Sequence, residues 1–256
     1  MKFKELKELY LNNNIIEDIE VLEKVNFEKL EKLNLGDNRI ENINILEKVN
    51  FEELKELYLK NILKTSIDIL KKIKFKKLEV LNLSNNYIEN INILKEVNFK
   101  ELKELNLSVN IISDISILKK VNFNKLEILN LSNNKIFDIN ILENTNFMFL
   151  KELYLDHNII SNIRVLGKVK FEKLEKLFLN FNRIYDIDIL EKISKMNELK
   201  ELHLDNNAIT NIQIFEKIKF EKFKKIKLYL ANNKIDFNKY SKIISLLKSK
   251  IKYLYY

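Results

Sequence analysis

The sequence predicts an α/β solenoid, in which short parallel strands stack into one sheet and short helices or 3₁₀ turns carry the chain back behind it. Three observations support this. Leu6, Leu30, Leu54, Leu78, Leu102, Leu126, Leu150 and Leu174 recur every 24 residues, and the next unit starts at Leu199, a step of 25. A degenerate tenth unit begins near Phe223. Within each unit, apolar residues first alternate and then fall three apart. A fixed period of this length marks a stacked-repeat architecture, because no single unit can bury its own apolar face.

Each unit reads L-x-x-L-x-L-x-x-N-x-I-x-x-I-x-x-L-x-x-V-x-F-x-x, and residues 126–142 are a clean copy. The L-x-L stretch alternates as a strand requires, so its leucines face one side and the residues between them the other. An Asn follows at position 9, where the chain leaves the strand. Asp18, Asn42, Ser66, Asn90, Asp114, Asp138, Asn162, Asp186 and Asn211 then stand just before the second Ile and are read as helix N-caps. The I-x-x-L-x-x-V run has apolar spacing that fits a short helix or 3₁₀ turn. Phe27, Phe51, Phe75, Phe99, Phe123, Phe147, Phe171 and Phe220 close the units, with Met196 in the 25-residue one. An aromatic column at fixed period fills a core.

The first eleven positions are similar to the leucine-rich-repeat signature, and the continuation resembles its SDS22-like or internalin-like subclass. That subclass usually repeats in 22 residues, whereas the V-x-F-x-x ending makes 24 here. The resemblance covers roughly residues 3–235. It implies a curved horseshoe or arc with the sheet on its concave side. It also implies a ladder in which the side-chain amides of Asn14, Asn38, Asn86, Asn110, Asn134, Asn158, Asn182 and Asn207 bond the backbone of adjacent turns. Such repeats mostly serve as recognition scaffolds.

The pattern breaks in the third unit, where Ile62 replaces the ladder Asn and Lys64 the following Ile; the strand is expected to survive and the turn to distort. At the end of the chain, Asp236 is placed to cap a helix over 237–249 carrying Tyr240, Ile243, Ile244 and Leu247 on one stripe, with 251–256 as a final strand. Residues 1–235 are therefore read as the solenoid and 236–256 as a helical cap packed on its last repeat, in a single domain. The first strand edge has no visible cap, which allows a monomer or a weak dimer through that edge.

Composition excludes several functions. The chain has no Cys, which removes disulfides, thiolate metal sites and Cys nucleophiles. No run of eighteen apolar residues occurs, so no transmembrane segment is expected, and Met1-Lys2-Phe3-Lys4-Glu5 lacks the apolar core of a signal peptide. Sequons at Asn82, Asn106 and Asn130 fall on the strands, where glycans would cover the sheet. These points favour the cytoplasm. No Gly-rich phosphate loop, nucleophile elbow or zinc-protease motif occurs, so no catalysis, cofactor or metal is expected.

The positions facing away from the core hold the functional signal. Units four to six show mainly Asn and Ser. Units seven to ten bring together Tyr154, Asp156, His157, Phe178, Phe181, His203, Asp205 and Tyr229, including both histidines of the chain. Clustered aromatics rimmed by charge resemble a protein-binding hot spot. The alternative is aromatic residues scattered by codon bias, with Phe178 and Phe181 merely stacked together. A second reading comes from the basic end: residues 219–256 hold eleven Lys against Glu221 and Asp236. Of these, Lys222, Lys224, Lys225, Lys227, Lys239, Lys242, Lys248, Lys250 and Lys252, with Tyr253, Tyr255 and Tyr256, could meet an anionic surface or, less readily, a nucleic acid. A third reading is a structural assembly unit. A protein partner on the sheet, of unknown identity, is the leading expectation.

Overall fold

A computed structural model describes residues 3–63, 66–193, 196–218 and 226–256. Among the described residues, eleven strands form one open parallel sheet in chain order. They are β1 (Glu8–Tyr10), β2 (Lys32–Asn34), β3 (Glu56–Tyr58), β4 (Val80–Asn82), β5 (Glu104–Asn106), β6 (Ile128–Asn130), β7 (Glu152–Tyr154), β8 (Lys176–Phe178), β9 (Glu201–His203), β10 (Lys227–Tyr229) and β11 (Tyr253–Tyr255). Like positions pair throughout, as in Leu105 with Leu129 and Asn106 with Asn130. The register follows the longer units without slipping, pairing Lys176 with Glu201 and Lys227 with Tyr253. The return segments are mostly 3₁₀ turns such as Asn92–Lys95 and Ser116–Lys120, with four-residue α-helices at Val21–Lys24 and Leu190–Ile193.

The strand leucines and the return-segment Ile and Leu residues form one continuous core. Phe27, Phe51, Phe75, Phe99, Phe123, Phe147 and Phe171 are buried within it, Met196 is partly buried, and Phe220 lies outside the described residues. Phe3 extends the column outward, stacking on Phe27 at 6.0 Å.

The Asn ladder ties the turns together. Asn110 donates from Nδ2 to the carbonyls of Leu83 (3.1 Å) and Leu107 (2.9 Å), while its Oδ1 accepts the N–H groups of Asn86 (3.0 Å) and Ile88 (2.9 Å). One buried amide thus satisfies four backbone groups in two adjacent turns, each of which would cost about 1–3 kcal/mol if left bare. Asn233 is a further rung that the sequence reading omitted, accepting the N–H of Ile209. The side-chain amide of Asn14 donates to carbonyls of its own turn, those of Leu11 and Asn12.

The nine polar residues before the second Ile each accept the N–H two residues on. In the seven units with a 3₁₀ turn, as in Asn42 to Asn44 and Asp114 to Ser116, this is the first N–H of the turn and the acceptor stands one place before a formal N-cap; the α-helices at Val21–Lys24 and Leu190–Ile193 start further on. In the third unit β3 survives, and the N–H groups of Ile62 and Leu63 both reach Oδ1 of Asn86. A cavity of about 450 Å³ opens beside Ile62; Lys64 lies outside the described residues. The C-terminal helix spans Ser241–Lys250, later than the expected 237–249. Asp236 caps a preceding turn instead, accepting the N–H groups of Asn238 and Lys239. Ile243, Ile244 and Leu247 enter the common core, and β11 then adds a last strand to the sheet.

Charged side chains repeat in step with the strands. Position 2 reads Lys7, Glu31, Lys55, Glu79, Lys103, Glu127, Lys151, Glu175 and Lys200. The residue before position 1 runs in opposite phase, from Glu5, Lys29 and Glu53 to Lys77, Glu101 and Lys125. Neighbours pair, as in Lys55 with Glu31 (2.6 Å), Lys103 with Glu79 (2.7 Å) and Lys29 with Glu5 (2.7 Å). These pairs are largely exposed, so each contributes at most about 1 kcal/mol, and their main effect is to favour one register. Among the described residues no helix is long and apolar enough to cross a membrane.

Candidate binding site on the sheet face

The aromatic residues of the late repeats form two columns. At position 5, Tyr154 stacks on Phe178 (4.5 Å between ring centroids), Phe178 on His203 (4.2 Å), His203 on Tyr229 (3.9 Å) and Tyr229 on Tyr255 (4.3 Å). At position 8, His157 stacks on Phe181 (4.1 Å). Parallel strands in register set like positions about 4.8 Å apart, close to the spacing of stacked rings. Phe178 and Phe181 therefore stack on residues of neighbouring strands, each in its own column. The inner rings spend both faces on each other.

Position 8 is strained. Asn13, Asn61, Asn85, Asn133, Asn206 and Asn232 adopt left-handed backbone there, as Asn does readily. His157 (φ 52°) adopts it as a residue type that also tolerates it, whereas Val109 (φ 54°) and Phe181 (φ 53°) do so without that ease. The left-handed region costs an ordinary residue about 1–2 kcal/mol. Phe181 is 44% exposed, so core burial does not offset the cost.

Charge surrounds the columns. The Tyr154 hydroxyl donates to the Glu152 carboxylate, and burial together with that carboxylate pushes its pKa well above the ordinary tyrosine value. Burial also raises Glu152, but hydrogen bonds from Lys176 (2.8 Å) and Tyr154 outweigh it and hold the carboxyl below its usual range. Burial raises Asp156, between β7 and the His157 turn. Burial lowers His203, against the pull of Glu201, Asp205 and Asp156. Its Nε2 lies 3.5 Å from Oε2 of Glu201 without hydrogen-bond geometry, and Oδ1 of Asn180 is likewise buried and unbonded. Asp205 accepts a bond from Asn206 (2.8 Å).

All eight residues singled out from the sequence thus fall on one stretch of sheet, at positions 5, 7 and 8. Tyr255, the fifth ring, was missed, because the 26-residue spacing from Tyr229 hides it from a 24-residue alignment. His157 and His203 belong to different columns, and among the described residues no three His, Asp or Glu gather as metal ligands. At the basic end, Lys227 is held by Glu201 (2.6 Å). Lys239, Lys248 and Lys252 lie over the rings of Tyr240, Tyr256 and Tyr253. Lys222, Lys224 and Lys225 lie outside the described residues.

A profile described as leucine-rich repeats in two copies matches residues 4–48, 76–120 and 172–217, more than half of the chain, and a single leucine-rich-repeat profile matches 125–146. The chain belongs to the leucine-rich-repeat family. No curated protein matches its sequence. Among solved structures, this leucine-rich-repeat protein is similar to the internalin inlF of Listeria monocytogenes, with 24% identity and a TM-score of 0.76 over 96% of this chain and 66% of that one. It is also similar to a leucine-rich-repeat protein of Leptospira interrogans, with 21% identity and a TM-score of 0.74 over 99% and 73%. PEPR1, solved as PEPR1–AtPEP1, is 26% identical with a TM-score of 0.64, over 91% of this chain and 32% of that one. The chain thus spans just under two thirds of the internalin and about a third of PEPR1.

Proposed function

We propose that this leucine-rich-repeat protein binds a protein or peptide on the concave face of its sheet, with the two aromatic columns of repeats seven to ten as the centre of contact. The position-8 pair carries this reading. Phe181 keeps a costly backbone conformation, and it and His157 stack on each other outside the core, beside a row of half-buried rings. Leucine-rich-repeat proteins generally mediate protein–protein binding, and the PEPR1 structure, as its name records, is of PEPR1 with AtPEP1. The test is capture of partners from lysate of the source organism by wild type and by Phe178→Ala/Phe181→Asn. A protein held by wild type and lost by the variant, with cooperative unfolding retained, supports the site; undiminished capture overturns it.

Two further assignments accompany this one. We read residues 236–256 as the cap of the solenoid, since Ile243, Ile244 and Leu247 close its core; deletion that leaves the melting temperature unchanged would disprove this. We place the protein in the cytoplasm because Asn82, Asn106 and Asn130 lie half-buried on the sheet, where glycans would obstruct it; recovery in a secreted fraction would overturn that placement.

A further inference from the structure

Position 3 of the sheet alternates Glu with Lys except at Val80 and Ile128. Odd-numbered repeats carry Glu8, Glu56, Glu104, Glu152 and Glu201, and even-numbered ones carry Lys32, Val80, Ile128, Lys176 and Lys227. Lys32 lies between Glu8 (3.6 Å) and Glu56 (3.2 Å), Lys176 pairs with Glu152 (2.8 Å), and Lys227 with Glu201 (2.6 Å). The same carboxylates also meet a ring two residues on. Tyr10, Tyr58 and Tyr154 donate hydroxyl hydrogen bonds to Glu8, Glu56 and Glu152, and His203 lies 3.5 Å from Glu201.

Glu104 lacks both partners. Its strand neighbours are Val80 and Ile128, where the alternation would place lysines. Two residues on stands Asn106 in place of a ring, its Oδ1 accepting from the N–H (3.0 Å) and hydroxyl (2.7 Å) of Ser108. Among the described residues no cation or hydrogen-bond donor reaches the Glu104 carboxylate. It is half-buried, and burial, with Glu56 and Glu152 beyond its neighbours, raises its pKa. A carboxylate removed from water without a partner is unfavourable unless something else supplies the positive charge.

We propose that Glu104 is the anchor on this sheet for a basic side chain of the partner, an arginine or lysine whose aliphatic stem lies against Val80 and Ile128. The two apolar neighbours exclude water around a charge pair, as the surround of a binding hot spot does, and they remove the internal lysines that would compete for the carboxylate. This rests on the sheet-face reading above and adds to it the chemistry of the ligand. It also gives the central repeats, which display mainly Asn and Ser, a place in the same footprint.

A phage-displayed library of random dodecapeptides, selected on immobilised full chain, tests this. Peptides enriched on wild type should share Arg or Lys at one fixed place. Glu104→Gln should lose that preference and bind the wild-type peptide about tenfold or more weakly, the loss expected for a charged hydrogen bond. Val80→Lys/Ile128→Lys keeps the carboxylate but supplies cations within the sheet, so it should lose the same preference while melting no lower than wild type. A consensus without a basic residue, or one that Glu104→Gln retains, overturns the assignment of Glu104 and leaves the sheet-face reading standing if Phe178→Ala weakens binding. No enrichment on wild type overturns both.

Discussion

Repeats four to six and repeats seven to ten share one backbone and differ in what they show to solvent. In the first group position 5 is Asn82, Asn106 and Asn130, and each Oδ1 accepts the N–H of the Ser two residues on. In the second group position 5 is a run of stacked rings. Beneath both, the buried ladder is the same, with Asn110 and Asn158 making the same kinds of bond. The difference shows that the hidden positions specify the solenoid and leave the outward ones free to vary. A surface that departs from the plain Asn and Ser pattern therefore needs a reason outside the fold.

The largest effect should be common to both groups. Asn110→Ala and Asn158→Ala each strand several buried backbone groups and should cost about 3 kcal/mol by urea unfolding; a large gap between them would break the claim of a common scaffold. Phe178→Ala removes two ring contacts worth about 0.5–1.5 kcal/mol each, so it should destabilise by about 1–2 kcal/mol in the same assay, with Asn106→Ala well below that. Val109→Asn relieves left-handed strain with nothing lost and should stabilise by about 1 kcal/mol. Phe181→Asn gains the same relief but forfeits the His157 stack, so it should come out near zero; a full gain at both would show that the stack contributes nothing.

The smallest effect is on pH dependence, and two groups of the late repeats carry it with opposite sense. His203 has a folded pKa below its ordinary 6.5, so the folded state resists protonation. Stability should fall as pH drops below about 6.5 and level off beneath the folded value. His203→Phe, which keeps a ring in the column, should flatten that loss. Asp156, raised from 3.8, has the opposite sense: stability is lost as pH rises from 3.8 through its folded value, and Asp156→Asn should remove that slope. Urea midpoints across pH check both, and identical profiles for wild type and variants would remove this contrast.

The fold was legible because a 24-residue period repeats its own test nine times. The ladder from Asn38 to Asn207, the buried Phe column and the eight residues of the late-repeat patch could all be placed by counting. What could not be read lay where counting fails. The steps of 25 and 26 residues concealed Asn233 and Tyr255. Helix onset near Asp236 depends on which N–H the carboxylate takes, which spacing does not determine. The isolation of Glu104 was written in Val80 and Ile128, yet it appears only once the strands are laid side by side.

The alternating charges also bear on how such a chain grows. A repeat of odd number complements its even neighbours and repels a copy of itself. Excising residues 78–101 would set Lys55 beside Lys103 and Lys77 beside Lys125, whereas excising 78–125 would set Lys55 beside Glu127 and restore opposite neighbours. The smallest length that can be duplicated or lost without a mismatch is therefore 48 residues, and a one-unit deletion should unfold more readily than the longer two-unit one. In this protein the heritable module is the doublet.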